Sequence, residues 1–563
     1  MAAAVTRWPQ PLLALRQGCS ALIIDYVLTI AISIASAVDS LFSVMPQSFQ
    51  GWKLPIEVLL IMILTSLNLR GMKESIKILM PIFLGFVITH VAIIIYGIVA
   101  HHSGLHELWP EAVRDAKSTA ADIGWFAVLA LFFKAFSMGG GTYTGLESVS
   151  NAVQNLAEPR VKTGKSTMFC VAASLAFMAT GIILLYLLWD VRKIEGETMN
   201  ATTFSAITAH WEFLGYNVSH LVVSVMMFLT AGLLFVAANT GFIAGPAVLA
   251  NMAVDRWMPS FFSSLSSRLV TKNGVLLMGT AAIVALALTL GKVSVLVVLY
   301  SINVFLTFSL SLLGLTIYRW KKRHRAGNLR KLMIPLLALI VCVSILITTI
   351  LEKFMDGGWM TLIITGFVIF MGVKIKGHYE AIQESIEKVE DEMEENFIFD
   401  DRPVNEGTDI DYSKPTAVFL VKETSASGIQ LMQWVEKTFP KMFYNYVFVS
   451  VGEIDTEEFV DQNKWDRLRR DTKQILKKYV RFCNHRGIPA TYYHSFGTDI
   501  VKMLTDLTDK IAGDFPNSMF FASKVISDNE NILTQILHNQ TAYILQRRLH
   551  SAGHNLIIMP VKL

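Results

Sequence analysis

A chain of 563 residues that is 53% hydrophobic and only 17% charged, with a mean hydropathy of +0.47, is too apolar for a string of soluble domains and falls in the membrane class. A formal charge of +4, dispersed along the chain, gives no argument for a nucleic-acid partner. The four cysteines, Cys19, Cys170, Cys342 and Cys483, show no CxxC or Cys/His spacing, so neither a zinc site nor a disulfide framework is expected.

The N-terminus, "MAAAVTRWPQPLLALRQGCSALIIDYVL", places basic residues before an apolar run. That run is too long, and followed by too many like it, for a cleaved signal peptide, so it reads as a membrane helix. Ten spans are predicted, at about residues 19–44, 55–69, 76–99, 122–147, 167–189, 218–244, 274–290, 293–318, 332–351 and 359–375. Lysine and arginine alternate between rich and poor in the connections. Arg70, Lys73 and Lys77, then Arg160, Lys162 and Lys165, then Arg256, Arg268 and Lys272 mark one side, whereas the other has Lys53 and Lys292 almost alone, Arg114 and Lys117 in a connection that also holds Glu107, Glu111 and Asp115, and Arg192 and Lys193 diluted by acids. "YRWKKRHRAGNLRK", with seven basic residues, is the strongest signal. Basic loops face the cytoplasm, and ten spans then put both termini there.

Beyond the transmembrane part, residues 1–376, an acidic helix and linker cover 377–415. From 416 to 563 the periodicity changes. "TAVFLVK", "YVFVSV", "ATYYHSF", "SMFFAS" and "NLIIMPVK" are strand-like runs separated by amphipathic helical patterns, an alternation that predicts a parallel sheet covered by helices. It contains neither a P-loop nor GxGxxG.

Ionisable groups inside hydrocarbon cost about 2.5–3.5 kcal/mol on insertion scales, so Asp25, Lys134 and Glu147 are the first functional candidates. Asp25, Thr29, Ser33 and Ser36 share one helical face, which is rich in oxygen; an interfacial Asp25 with hydroxyls bonded back to their own helix is the plainer alternative. A second stripe joins Tyr300, Asn303, Thr307 and Ser311, with interhelical packing as its alternative. In "FVAANTGFIAGP", Asn239 and Thr240 follow two small residues, and close packing and ligand contact are equally open.

The fourth span ends in "SMGGGTYTGLESVSN". Gly139, Gly140, Gly141 and Gly145 bracket "TYT", and glycine tolerates the backbone of an interrupted helix. Broken helices of this kind mark substrate sites of secondary transporters, where freed carbonyls and half-helix ends meet ions. Glu147 follows the break by one turn, placed to bind a cation or carry a proton; its alternative is an ion pair with Lys134 or a loop base. No catalytic constellation is seen, and Lys134 has no assigned role.

"LIIDYVLTIAISIASAVDS", "LNLRGMKES", "FKAFSMGGGTYTGLESVSNAV", "AANTGFIAGPAVLANMAVDRWMP" and "ILHNQTAYILQRRL" together resemble the amino acid–polyamine–organocation (APC) superfamily, most closely its KimA-type (KUP) bacterial potassium importers. The resemblance implies a LeuT-like inverted-repeat α-helical membrane bundle, ten of twelve spans being present, and a C-terminal α/β domain like the universal stress proteins. It implies potassium import with protons across the cytoplasmic membrane and no cofactor beyond the transported ions. Asp25, Thr29 and Ser33 match the cation-pathway face of the family's third helix, Thr144 and Glu147 its broken sixth helix, and Tyr300 a tyrosine of its tenth. A homodimer formed through the cytoplasmic domain and regulation by cyclic di-AMP are likewise implied. Arg547 and Arg548, beside "HNQTA", are the residues that could meet phosphate, a solvated helix face being the alternative. The glycine-rich phosphate motif of ATP-binding stress proteins is missing, which argues against ATP bound in that way.

The resemblance also implies that the family's first two helices are missing from this chain, including the broken first helix that faces the sixth. A misassigned start or a truncated gene is the expectation drawn from that. Two other readings stand beside potassium import: an amino acid permease of the same superfamily, and an incomplete transporter serving as a membrane-tethered nucleotide sensor.

Overall fold

The computed structural model describes residues 11–71, 75–139, 156–213, 215–266, 268–321, 328–396, 410–421, 425–454, 462–526 and 541–562. Two compact units divide the chain: residues 1–248 with 273–371, and residues 249–272 with 372–563.

The first unit is helical. Its membrane-type helices are α1 (Pro11–Phe42), α2 (Lys53–Leu69), α3 (Ser75–Ala100), α6 (Arg160–Leu188), α8 (Ser219–Val254), α9 (Lys272–Thr289), α10 (Val293–Lys321), α11 (Asn328–Lys353) and α12 (Trp359–Asn396), of which α8 and α12 run on past residues 248 and 371. Between α3 and α6 lie α4 (Leu105–Ile123) and α5 (Trp125–Met138), and between α6 and α8 a short α7 (Met199–Thr208) and a hairpin of β1 (Glu212–Phe213) and β2 (Tyr216–Asn217). α1 and α10 pack against each other and are the best-buried membrane helices, with 83% and 61% of their apolar windows covered. The remaining helices turn large apolar side chains such as Ile88, Phe169 and Ile334 outward, which suits a hydrocarbon solvent. A helix apolar all round belongs in the middle of such a bundle, which is where α1 lies.

Ten spans are expected from the sequence, and among the described residues eight helices are long and apolar enough to cross a membrane, or nine if one bent pair counts as a span. The difference has two sources. The last continuous segment, Lys331–Glu384, runs for 54 residues and holds both of the last two expected spans around the break Phe354–Gly358, where Gly357 takes a φ of 105°. At 1.5 Å per residue, such a length exceeds one crossing of a core about 30 Å thick. The fourth span, expected over 122–147, is helical over Trp125–Met138, and residues 140–155 lie outside the described residues. Before it, the segment expected to be a charged loop is the amphipathic helix α4, bent by 120° from α5 at Gly124, whose φ of 84° favours glycine. Leu105, Leu108, Ala112, Val113 and Ala116 recur at helical spacing there, a signal masked in the sequence by the charges between them.

The C-terminal sheet is as expected. β3 (Thr416–Leu420), β4 (Asn445–Glu453), β5 (Ala490–Gly497), β6 (Ser518–Ile526) and β7 (Leu556–Lys562) form one sheet in the order β5-β4-β3-β6-β7, every pair parallel. The helices between them are α13 (Ser425–Thr438), α14 (Gln462–His485), α15 (Ile500–Asp514) and α16 (Thr541–Ser551). Alternation along β3 explains the two layers. Ala417 and Phe419 join Met432, Tyr479 and Cys483 on one face, while Val418 joins Leu504, Phe515 and Leu549 on the other. Burial, with Glu436 nearby, pushes the Cys483 thiol well above its usual range, so this cysteine is a core residue and no nucleophile. Arg547 and Arg548 are both exposed on α16, and residues 538–540 of the "HNQTA" stretch lie outside the described residues.

Candidate functional site

The two polar stripes read from the sequence meet. Asp25, Thr29 and Ser33 are buried on α1, and Tyr300 and Asn303 on α10. Tyr300 reaches Thr29, its hydroxyl 3.5 Å from the threonine Oγ1, and Asn303 reaches Ala21 and Asp25. Pairing later residues of one helix with earlier residues of the other requires α1 and α10 to run antiparallel.

Asn303 is the hub of this contact. Its Nδ2 donates to the carbonyl of Ala21 at 3.1 Å and to Oδ1 of Asp25 at 3.3 Å, and its Oδ1 accepts from the Thr365 hydroxyl of α12 at 3.2 Å. These three bonds fix the orientation of the amide. One turn away, the Thr361 hydroxyl donates to the carbonyl of Leu299 at 3.3 Å, so α12 is pinned to α10 beside the cluster. Thr29 donates to the Asp25 carbonyl at 2.8 Å, the back-bonding expected for a hydroxyl in a membrane helix. Both sequence alternatives for α1 are therefore partly realised: the hydroxyl bonds back to its own helix, and it also faces Tyr300.

Asp25 is 1% exposed. The burial of a carboxyl group inside the helix bundle has to be offset by polar partners. The Thr29 and Tyr300 hydroxyls, 3.5 Å apart, and the Asp25 carboxyl held by Asn303 bring hard oxygen donors to the α1–α10 contact, with Ser33 one turn further along α1. Thr307, the next stripe residue, is buried with no hydrogen-bond partner for its hydroxyl among the described residues, and Ser311 is exposed, so the stripe ends there. Thr361 and Thr365 were missed in the sequence because they sit inside the apolar "WMTLIITGFVIF"; their i, i+4 spacing was the available signal.

The glycine-rich break lies mostly beyond view. Gly140, Gly141, Thr144, Gly145 and Glu147 lie outside the described residues, and Gly139, exposed, immediately follows α5. Phe133 and Met138 of α5 pack with Ile302 and Phe305 of α10, which brings the start of the glycine run alongside the helix that carries Tyr300 and Asn303. Lys134 has a partner in Glu352 of α11 at 3.3 Å. Asn239 of α8 accepts from Asn68 of α2 at 2.7 Å and ties those two helices together. Among the described residues no group of three or more His, Cys, Asp or Glu could hold a metal ion in the manner of a transition-metal site.

Comparison with known proteins assigns this helical unit. The family described as "Amino acid permease" matches residues 12–373, more than half of the chain. The chain belongs to the amino acid permease family. This is a family of transporters and not of enzymes, within the APC superfamily that the motifs resemble. "Potassium transporter KimA" of Bacillus subtilis (strain 168) is 32% identical over 375 residues, a match that covers 66% of this chain and 59% of that protein. The chain thus belongs to an APC-type family of multi-pass membrane transporters, is distantly similar to a potassium transporter and spans about three fifths of that relative's length.

Proposed function

We propose that the protein is a secondary active transporter that carries potassium together with protons, with a site to which Asp25, Thr29 and Tyr300 and the glycine-rich segment 139–147 contribute. The observation that carries this reading is the buried oxygen cluster between α1 and α10. Hard oxygen donors suit an alkali cation, and Lys134 is paired with Glu352 of α11. Thr144 and Glu147 are proposed to complete the site from the other side, with Glu147 as a proton carrier. On the basic-residue count both termini are cytoplasmic, and the sheet domain is the regulatory part, pairing two subunits and responding to cyclic di-AMP.

Amino acid transport is the second reading, favoured by the family description itself. Uptake in cells deficient in potassium uptake separates the two. Expression of the chain is expected to give rubidium uptake that Glu147→Gln removes. Uptake of a labelled amino acid with no rubidium uptake would overturn the potassium assignment.

A further inference from the structure

A second buried carboxyl stands apart from the Asp25 cluster. Glu57, five residues into α2, is 1% exposed, although its helix turns Leu59, Met62 and Ile63 outward. Its Oε2 has no hydrogen-bond partner among the described residues. The carboxyl group lies against Gly291, in the turn between α9 and α10, where φ is 66°; a Cβ at that position would collide with both carboxyl oxygens. The charged groups acting on Glu57 are Lys53, one turn earlier on α2, and Asp39, in the last turn of α1. Those two are paired with each other at 2.7 Å, and Lys292, next to Gly291, is exposed. The pocket lies between the C-terminal end of α9 and the N-terminal end of α10, whose opposite partial charges offset each other. A protonated carboxyl can donate there, whereas a carboxylate cannot. An unpaired charge in such a place costs several kcal/mol.

We propose that Glu57 is a proton-binding site at the end of the bundle that the basic-residue count assigns to the outside, and that it takes up a proton from that side and releases it during the cycle. Its protonation rests on the geometry of α2 and the α9–α10 turn; its place in the cycle rests on the cation–proton reading above.

Infrared difference spectroscopy on the purified full chain, comparing acid with alkaline buffer, reads the carbonyl stretch of protonated carboxylic acids. One component is expected to vanish in Glu57→Gln and to persist, shifted, in Glu57→Asp. Rubidium uptake is then followed against external pH. Wild-type uptake is expected to fall several-fold as external pH rises, and Glu57→Gln to lower uptake and flatten that dependence. A carbonyl band unchanged in Glu57→Gln overturns the proton site. Loss of the band with an unchanged pH profile overturns its role in coupling. If the wild type moves no rubidium, the transport reading fails and the band alone decides the protonation.

Discussion

Asp25→Asn is expected to abolish rubidium uptake. The substitution keeps the size of the side chain and an oxygen that can still accept from the Asn303 amide, so α1 and α10 should pack as before. What it removes is the negative charge of the cluster. Losing one partner of a buried charge interaction costs about 3–5 kcal/mol, and at 1.4 kcal/mol per factor of ten that is a loss of roughly a hundredfold or more in cation affinity. Thr29→Val and Tyr300→Phe each remove one neutral oxygen and are expected to weaken uptake several-fold only, since a neutral hydrogen-bonding group is worth about 1 kcal/mol. Initial rates measured against rubidium concentration check the order: Asp25 first, the two hydroxyls well behind. Equal losses from all three would mean that the substitutions disturb packing and not the charge.

Gly241→Ala is expected to be nearly as damaging without touching any polar group. A Cβ at Gly241 of α8 would stand 2.6 Å from Ile30 Cγ1 and 2.9 Å from the Tyr26 carbonyl oxygen of α1. The isoleucine can rotate, but the carbonyl belongs to the helix backbone between Asp25 and Thr29. One added methyl therefore displaces α1 at the level of the site. Overpacking of this kind costs about 1–3 kcal/mol, and the displacement falls on a cluster whose hydrogen bonds already run to 3.5 Å. Uptake at least tenfold below wild type, with a lowered unfolding temperature, is the expected result. Gly366→Ala, where the added Cβ meets nothing within 4 Å, is the control that should change neither.

Much of this arrangement is legible in the sequence, because its carriers are periodic. Asp25, Thr29 and Ser33 fall on one helical face, and Tyr300 and Asn303 on another; two polar faces in apolar helices have to find each other or a ligand. The five strands of the sheet announce themselves through β-branched and aromatic runs, and their parallel pairing follows from the helices between them. Partners distant in the chain were not legible. Nothing in the local pattern ties Lys134 to Glu352 or Asn239 to Asn68, since such pairs are chosen by how helices cross. Thr365 was hidden in an apolar run, and Glu57 by its place beside a charged helix start. The α4 helix was hidden for the opposite reason, being too charged to pass for a membrane element and too regular to be a loop.

The central claim is that the oxygen cluster around Asp25 binds an alkali cation. Thermal unfolding of the purified full chain with and without potassium or rubidium tests it most directly, because a ligand that binds only the folded state stabilises it by about 2.7 kcal/mol at a hundred times its dissociation constant. The unfolding temperature is expected to rise with either cation and to be indifferent to them in Asp25→Asn. A rise produced by an amino acid and not by potassium or rubidium, or one that survives Asp25→Asn, would contradict the claim.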